Sequence, residues 1–202
     1  MKKERLSLVL MVLFSAIIYA QSPETLLKDG LALDSAGNYN KAIKKLDKAI
    51  RLKPDYAEAF NARGMSKSKI KDNLGAMTDI THAIELKSDY SEAYYNRAQV
   101  KGALDDFRGE IQDLNKAIEL SPDNAKAYNC RGLMRGRVGD RTGEIQDYTK
   151  AISIKPNYAE AYHNRAHAKF LSGNKDGACM DFSKAGELGY FKAYEDIQKM
   201  CK

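Results

Sequence analysis

The chain has 202 residues, of which 44% are hydrophobic and 30% are charged, with 14 Gly and four Pro. This balance is ordinary for a globular protein and excludes a collagen-like or intrinsically disordered chain. The 33 basic and 27 acidic residues are interspersed, so the net charge of +6 does not form a stripe, and we expect no nucleic-acid partner. Three Cys are too few for a disulfide scaffold.

Residues 1–20 have the layout of a secretory signal peptide. A basic start is followed by an apolar stretch from Leu6 to Tyr19, and Ala20 precedes the expected cleavage site. The apolar stretch is shorter than the about 20 residues that a membrane-spanning helix needs. The sequence therefore predicts an exported protein, periplasmic or secreted, without a membrane span after leader removal. A leader retained as an anchor is the alternative.

The rest of the sequence repeats every 34 residues. One register of the repeat holds Ala49, Ala83, Ala117, Ala151 and Ala185. Another holds an aromatic residue followed three positions later by Arg, in the pairs Phe60/Arg63, Tyr94/Arg97, Tyr128/Arg131 and Tyr162/Arg165. A fixed period of this length indicates one supersecondary unit repeated along the chain.

Each unit is predicted to be a pair of helices, because apolar residues recur with helical spacing on both sides of a central break. Asn or Asp at the break is expected to cap the second helix, at Asn38, Asp72, Asp106, Asp140 and Asn174. Asp55, Asp89, Asp123 and Asn157 are expected to cap the first helices of later units. Ser22 followed by Pro23 is expected to start the first pair.

The pattern resembles the tetratricopeptide repeat family. The resemblance is carried by Lys-Ala-Ile at Lys48, Lys116 and Lys150, by Pro54, Pro122 and Pro156, and by the small residues Gly30, Gly64, Ala98, Gly132 and Ala166. It implies an all-α, right-handed α-solenoid of five helix-turn-helix repeats with a C-terminal capping helix. The predicted parts are a signal peptide at 1–20, repeats at 23–56, 57–90, 91–124, 125–158 and 159–190, and the capping helix at 191–202. Glu110 and Glu144 depart from the family pattern, which has a small residue at that place.

Folding each helical hairpin about its turn brings opposite charges together. The predicted ion pairs are Asp29/Lys45, Arg63/Asp79, Arg97/Asp113, Arg131/Asp147 and Arg165/Asp181. The capping helix carries an apolar stripe at Ala193, Tyr194, Ile197 and Met200. Folding it back brings Cys179 near Cys201, and export favours a disulfide between them, with two buried thiols as the alternative. Cys130 is interpreted as a packing residue.

No nucleophile, phosphate-loop or metalloprotease motif is present, so the sequence predicts a non-enzymatic protein without a cofactor. His163 and His167 lie four residues apart on one helix, a spacing that could hold zinc if Cys130 supplied a third ligand. We interpret the two histidines instead as groove residues and predict no metal site.

The family resemblance implies a concave groove lined by the first helices. Carried over to this sequence, its residues are Asn61, Met65, Lys69, Tyr95, Gln99, Asn129, Leu133, Arg137, His163, His167 and Phe170. This mixture suits a segment of another protein. Some family members bind a chaperone's C-terminal carboxylate through Lys and Asn, but Leu27 and Leu31 occupy those places here.

The sequence thus predicts a protein-protein interaction scaffold that binds a peptide segment or a partner protein outside the cytoplasm. Two alternatives stay open at this point. One is an accessory or metal-binding component of an envelope enzyme complex. The other is a structural protein that self-associates through the first repeat, where Leu26, Leu27 and Leu31 have no earlier repeat to cover them.

Overall fold

The computed structural model describes residues 22–201, so the predicted signal peptide lies outside the described residues. The described part contains eleven helices and no strand, which confirms the all-α fold class. It forms two compact units, one ending at Leu104 and one beginning at Asp105. No helix in the described range is both long and apolar enough to cross a membrane.

Unit 1 holds five helices joined by short turns. They are α1 (Pro23–Ser35), α2 (Tyr39–Leu52), α3 (Ala57–Lys69), α4 (Asn73–Leu86) and α5 (Ser91–Ala103). Unit 2 holds six. They are α6 (Phe107–Leu120), α7 (Ala125–Arg137), α8 (Arg141–Ile154), α9 (Ala159–Leu171), α10 (Lys175–Glu187) and α11 (Lys192–Met200). Consecutive helices pack against each other within each unit, as expected for tandem helical hairpins.

Side-chain caps begin most of the second helices. Asp72, Asp106, Asp140 and Asn174 each accept a hydrogen bond from the backbone N–H three residues later, as predicted. Asn38 makes no such bond. Ser22 caps α1, with Pro in the first turn. These caps satisfy N–H groups that have no partner inside the helix.

The prediction for the first helices was wrong by one residue. Their N-cap positions are Tyr56, Tyr90, Asn124 and Tyr158, and only Asn124 forms a side-chain cap. The three tyrosine rings instead pack against the cores beside their own helices. Burial of an aromatic ring at this place therefore replaces the expected carboxylate cap.

Small residues let the two helices of a hairpin approach closely. A Cβ added to Gly64 would lie 2.6 Å from Ile80 Cγ1, and one added to Gly132 would lie 2.8 Å from the Tyr148 ring. Gly30 meets Leu46 in the same way. The bulky partner in each pair is completely or almost completely buried. Gly30, Gly64 and Gly132 are thus required by packing and not by backbone conformation.

Four of the five predicted ion pairs are confirmed. Lys45 Nζ lies 2.8 Å from Asp29 Oδ2, and Arg63, Arg131 and Arg165 each bind their aspartate through two hydrogen bonds, to Asp79, Asp147 and Asp181. These three aspartates are buried, so the pairs belong to the hairpin interior. The pair Arg97/Asp113 is divided between the two units and stays a prediction.

A second cation reaches each of these buried aspartates. Lys67, Arg135 and Lys169 lie four residues after the first arginine and 2.8, 3.1 and 2.8 Å from the same carboxylate. These three cations were not predicted from the sequence, although they are separated by multiples of 34 residues. Two cations per carboxylate compensate the cost of removing that charge from water.

Glu110 and Glu144, which break the family's preference for a small residue, are both buried. Gly136 makes room for Glu144, since a Cβ there would lie 2.6 Å from its carboxylate. Arg141 binds Glu144 through a hydrogen bond. Burial raises the pKa of Glu110 to about 7, with Arg137 opposing the shift and Asp106 adding to it. Glu110 Oε2 has no hydrogen-bond partner among the described residues.

The C-terminal helix α11 covers the end of unit 2. Ala193 is fully buried against Phe182 and Ala185, and Ile197 and Met200 pack around them. Cys179 and Cys201 form a disulfide, as predicted. The disulfide links Cys201, the residue after α11, to Cys179 within α10.

Candidate functional site

Unit 1 contains a cleft of about 390 Å³ lined by residues of α1, α3 and α5, here called the unit 1 cleft. Its apolar surface comes from Leu27, Leu31, Ala62 and Met65. Its polar lining consists of Asp34, Glu58, Asn61, Tyr90, Glu92 and Asn96. Leu31 is 49% exposed, so the cleft presents apolar area directly to solvent. Such a combination of apolar area and a few polar groups is typical of a binding site.

Two hydrogen-bonded amides, Asn61 and Asn96, form part of the polar lining of the cleft. Asn96 Nδ2 donates to Asn61 Oδ1 at 3.0 Å, and Asn61 Nδ2 donates to the Tyr90 hydroxyl at 3.3 Å. Burial raises the pKa of Tyr90 to about 12, and the carboxylate of Glu92 adds to the shift. The hydroxyl therefore keeps its proton at neutral pH and can also donate. The amides are held in one orientation by this chain of hydrogen bonds.

The charged groups on the cleft wall are all acidic. Asp34, Glu58 and Glu92 line it, and no Lys or Arg is among the lining residues. Asp34 accepts a hydrogen bond from the Ser66 hydroxyl at 2.6 Å. Lys87 is not a lining residue, but its Nζ lies 3.3 Å from Glu58 Oε1 in a solvent-exposed ion pair. Exposed pairs of this kind contribute little, so Glu58 stays available to another cation.

The structure brings only part of the predicted unit 1 groove into the cleft. Asn61 and Met65 line it, whereas Lys69, Tyr95 and Gln99 do not. Lys69 and Gln99 are exposed and Tyr95 is half-buried. Asn61 is only 3% exposed, so it has little surface available to a ligand. Its hydrogen bonds orient Asn96 and Tyr90 instead.

In unit 2, the predicted groove residues have separate environments. Asn129 is buried and accepts a hydrogen bond from Asn164 at 3.1 Å, as Asn61 does from Asn96 in unit 1. Asn129 also donates a hydrogen bond to Glu160. Leu133 and Arg137 are exposed, and the Arg137 guanidinium lies over the Phe107 ring. Phe170 packs against the core beneath α11.

His163 and His167 of α9 both contact Asp196 of α11. His163 is buried, and its Nε2 lies 2.8 Å from Asp196 Oδ2. His167 Nε2 lies 3.2 Å from His163 Nε2 and 3.4 Å from the same carboxylate oxygen. The three side chains therefore form one cluster, here called the His-His-Asp cluster. Both histidines belong to this cluster, and their role in the predicted groove stays a prediction.

Aromatic rings surround the His-His-Asp cluster. The His163 ring lies 4.4 Å from that of Tyr190, and the His167 ring lies 4.9 Å from that of Phe182. Burial, followed by the neighbouring His163, lowers the pKa of His167. Burial acts to raise the pKa of Asp196, but the hydrogen bonds and charges of the two histidines outweigh it and lower the pKa. Asp196 is thus held as a carboxylate.

The third member of the cluster differs from the one considered in the sequence analysis. Cys130 lies outside the cluster, and its place is taken by Asp196 on α11. The sequence offered no signal for Asp196, because it lies outside the apolar stripe of α11 and its burial is visible only in the structure. Its contact with His163 depends on how α11 folds back, which a repeat pattern does not describe.

Comparison with known proteins agrees with the fold. Residues 30–67 match a family model described as TPR repeat, and residues 91–124 match one described as Tetratricopeptide repeat. No curated protein matches the sequence.

Solved structures with the same fold include MamA. It is 28% identical with a TM-score of 0.71, and the alignment covers 82% of this chain and 96% of the MamA chain. YrrB, described as a TPR protein with an unusual peptide-binding site, is 18% identical with a TM-score of 0.70, covering 92% of this chain and 97% of its own. PilF of Pseudomonas aeruginosa is 16% identical with a TM-score of 0.79, covering 83% and 76%.

The two matches lie 61 residues apart at their starts and fall within the part of the chain that repeats, and the helical hairpins recur with the 34-residue period in the structure. The matches therefore identify tetratricopeptide repeats in this chain.

Proposed function

We propose that this tetratricopeptide repeat protein is a non-enzymatic protein-interaction scaffold that binds an extended segment of a partner protein in the unit 1 cleft. The observation that carries the proposal is the composition of the cleft. It combines exposed apolar side chains, an oriented pair of amides and three carboxylates without a lining cation. The apolar side chains provide area, and the amides suit a peptide backbone.

The charge of the cleft defines the segment that it accepts. Asp34, Glu58 and Glu92 favour a segment that carries Lys or Arg next to apolar residues, because opposite potentials across an interface select the partner. A free C-terminal carboxylate is disfavoured, since it would lie among like charges with no basic side chain on the lining. The ligand is therefore an internal basic and apolar segment.

YrrB supports binding of a peptide by a protein of this fold, because its structure is described as having a peptide-binding site. In unit 2, Leu133 and Arg137 are the groove residues that remain open to solvent. We propose that they form a second, smaller contact for the same partner protein.

Short labelled peptides test the proposal through fluorescence anisotropy. A peptide that alternates Lys with Leu should bind, and one with Glu in place of each Lys should not. Glu58→Gln together with Glu92→Gln should weaken binding several-fold at low salt, with a smaller loss at high salt because ions screen exposed charges. Leu31→Ala should weaken it about tenfold through lost apolar contact.

Matched controls replace the same residue types outside the cleft. Leu74 is 74% exposed in α4, and Glu119 is exposed in α6, so Leu74→Ala and Glu119→Gln should leave binding unchanged. Equal binding of the basic and acidic peptides would overturn the proposal. So would an equal effect of the cleft and control variants.

We also propose that the scaffold acts after export, in the periplasm or outside the cell. The disulfide between Cys179 and Cys201 supports this compartment, because such bonds persist in oxidising surroundings and are rare in the cytosol. Mass spectrometry of the protein purified from its source should find a chain that begins at Gln21. A chain that begins at Met1 would contradict cleavage.

Self-association through the first repeat has less support. Leu26 is only 5% exposed and packs with Leu46 inside unit 1, while Leu27 is half-buried. Leu31 alone of the three is exposed, and it belongs to the unit 1 cleft. We therefore expect sedimentation of a monomer, and a dimer lost in Leu31→Ala would favour self-association.

A further inference from the structure

The His-His-Asp cluster has the composition of a metal site. It offers two imidazole nitrogens and one carboxylate oxygen, drawn from α9 and α11 of unit 2. Two histidines with one carboxylate are a ligand set that binds zinc in proteins when a fourth position is left for water. The cluster is separate from the unit 1 cleft, so it is independent of the proposed function.

Two of the three distances among these atoms are close to those between zinc ligands, and the third is shorter. Zinc bonds of about 2.0–2.1 Å in a tetrahedral arrangement place neighbouring ligand atoms about 3.3–3.4 Å apart. Here His163 Nε2 and His167 Nε2 are 3.2 Å apart, and they lie 2.8 and 3.4 Å from Asp196 Oδ2. All three atoms thus lie within 3.4 Å of one another.

Hydrogen bonds and a bound cation are two ways of holding the same three atoms together. If both Nε2 atoms carry hydrogen, both imidazoles donate to Asp196 Oδ2, and a carboxylate oxygen accepts two such bonds. A cation at the cluster would take the place of those two hydrogens and bind all three atoms.

The surroundings hold the three ligands in place. His163 and His167 are one turn apart on α9, and Asp196 is positioned by packing of α11 against the Phe182 core. The disulfide at Cys201 fixes the end of α11 immediately after the helix. The side chains of His163 and Asp196 are 8% and 10% exposed, while that of His167 is 36% exposed. Solvent therefore reaches the cluster on the side of His167.

We propose that His163, His167 and Asp196 bind one zinc ion through Nε2, Nε2 and Oδ2, with water in the fourth position on the side of His167. The ion links α9 to α11 and joins the disulfide in holding the C-terminal helix on unit 2. Imidazole and carboxylate ligands bind zinc in proteins.

The experiment uses untagged, oxidised protein that has been stripped with a chelator. Calorimetric titration with zinc should give one ion per chain, and the melting temperature should rise on addition of zinc. Cobalt should bind in its place and show the intense visible absorption of a four-coordinate site. His167→Gln and Asp196→Asn should each weaken zinc binding about tenfold or more while keeping the helical circular dichroism spectrum.

Two control variants separate this site from other zinc binding. His82→Gln removes a histidine that pairs with Glu85 in unit 1, and it should bind zinc as the parent does. Cys130→Ser should also bind normally, because the third ligand is Asp196. No stoichiometric zinc, an unchanged melting temperature, or loss of binding in Cys130→Ser or His82→Gln would overturn the proposal. If Asp196→Asn fails to fold, His167→Gln alone decides, since His167 is partly exposed.

Discussion

The guanidinium of Arg131 binds both oxygens of Asp147, with Nε 2.9 Å from Oδ2 and Nη2 2.6 Å from Oδ1. The same guanidinium lies over the Tyr128 ring and donates to Asn115 Oδ1 on α6. Arg63 repeats this arrangement in unit 1, where it also binds Asp47 on the preceding hairpin. One side chain thus joins the helices of its own hairpin to the hairpin before it.

Replacement of Arg131 tests the contribution of this contact. Arg131→Ala leaves Asp147 buried with Arg135 as its remaining cation, so we expect a loss of about 2–3 kcal/mol in the free energy of unfolding. Urea denaturation measures it. The control Glu119→Gln disrupts an exposed pair with Lys116 and should change stability by no more than about 0.5 kcal/mol. Equal losses in the two variants would contradict a structural role for the buried pair.

Removal of the disulfide should loosen α11 before the rest of unit 2. The bridge closes a loop with a sequence separation of 22, which corresponds to about 3 kcal/mol of stability in the chain-entropy description. Cys179→Ser with Cys201→Ser should therefore lower the melting temperature, and hydrogen exchange should increase first in α11. Cys130→Ser, which leaves the bridge intact, is the matched control. A melting temperature unaffected by reduction would contradict this expectation.

The turn inside a hairpin contains a residue with positive φ, and substitutions there test how much this backbone conformation costs. Gly37, Gly139 and Gly173 have positive φ there, and Lys71 occupies the equivalent place with φ of 69°. A side chain in this conformation costs about 1–2 kcal/mol, partly offset by the greater freedom of glycine in the unfolded chain. Lys71→Gly should stabilise the protein by about 0.5–1 kcal/mol in urea denaturation.

The reverse substitution provides the control for that turn. Nothing lies within 4 Å of a Cβ built on Gly139, so Gly139→Ala introduces backbone strain without a clash. It should destabilise unit 2 by about 1 kcal/mol. If Lys71→Gly and Gly139→Ala changed the free energy of unfolding in the same direction, contacts and not φ would decide stability at this turn.

The buried Glu110 predicts a dependence of stability on pH. Its pKa is about 7 in the folded chain because burial disfavours the carboxylate, while the ordinary value is 4.5. Between these values the folded state holds a proton that the unfolded state has lost, so stability falls as the pH rises from about 4.5 to 7. Glu110→Gln should remove this part of the pH dependence and stabilise the protein at pH 8. Urea midpoints at pH 5 and pH 8 measure both effects, and parallel changes in parent and variant would contradict the assignment.

The sequence by itself determined the helical hairpins, their period and the facing charges. Each of these depends on local spacing, because helix periodicity and a short turn together decide which residues of one hairpin face each other. Arg63/Asp79 follows from position alone, and so does the small residue at Gly64 opposite Ile80.

Only the tertiary structure decided the unit 1 cleft, the tyrosines that replace the expected caps, and the meeting of Asp196 with His163. These features depend on the orientation of each helix about its own axis and on the position at which α11 packs. Packing of side chains from several helices sets those angles, and a repeat pattern carries no information about them.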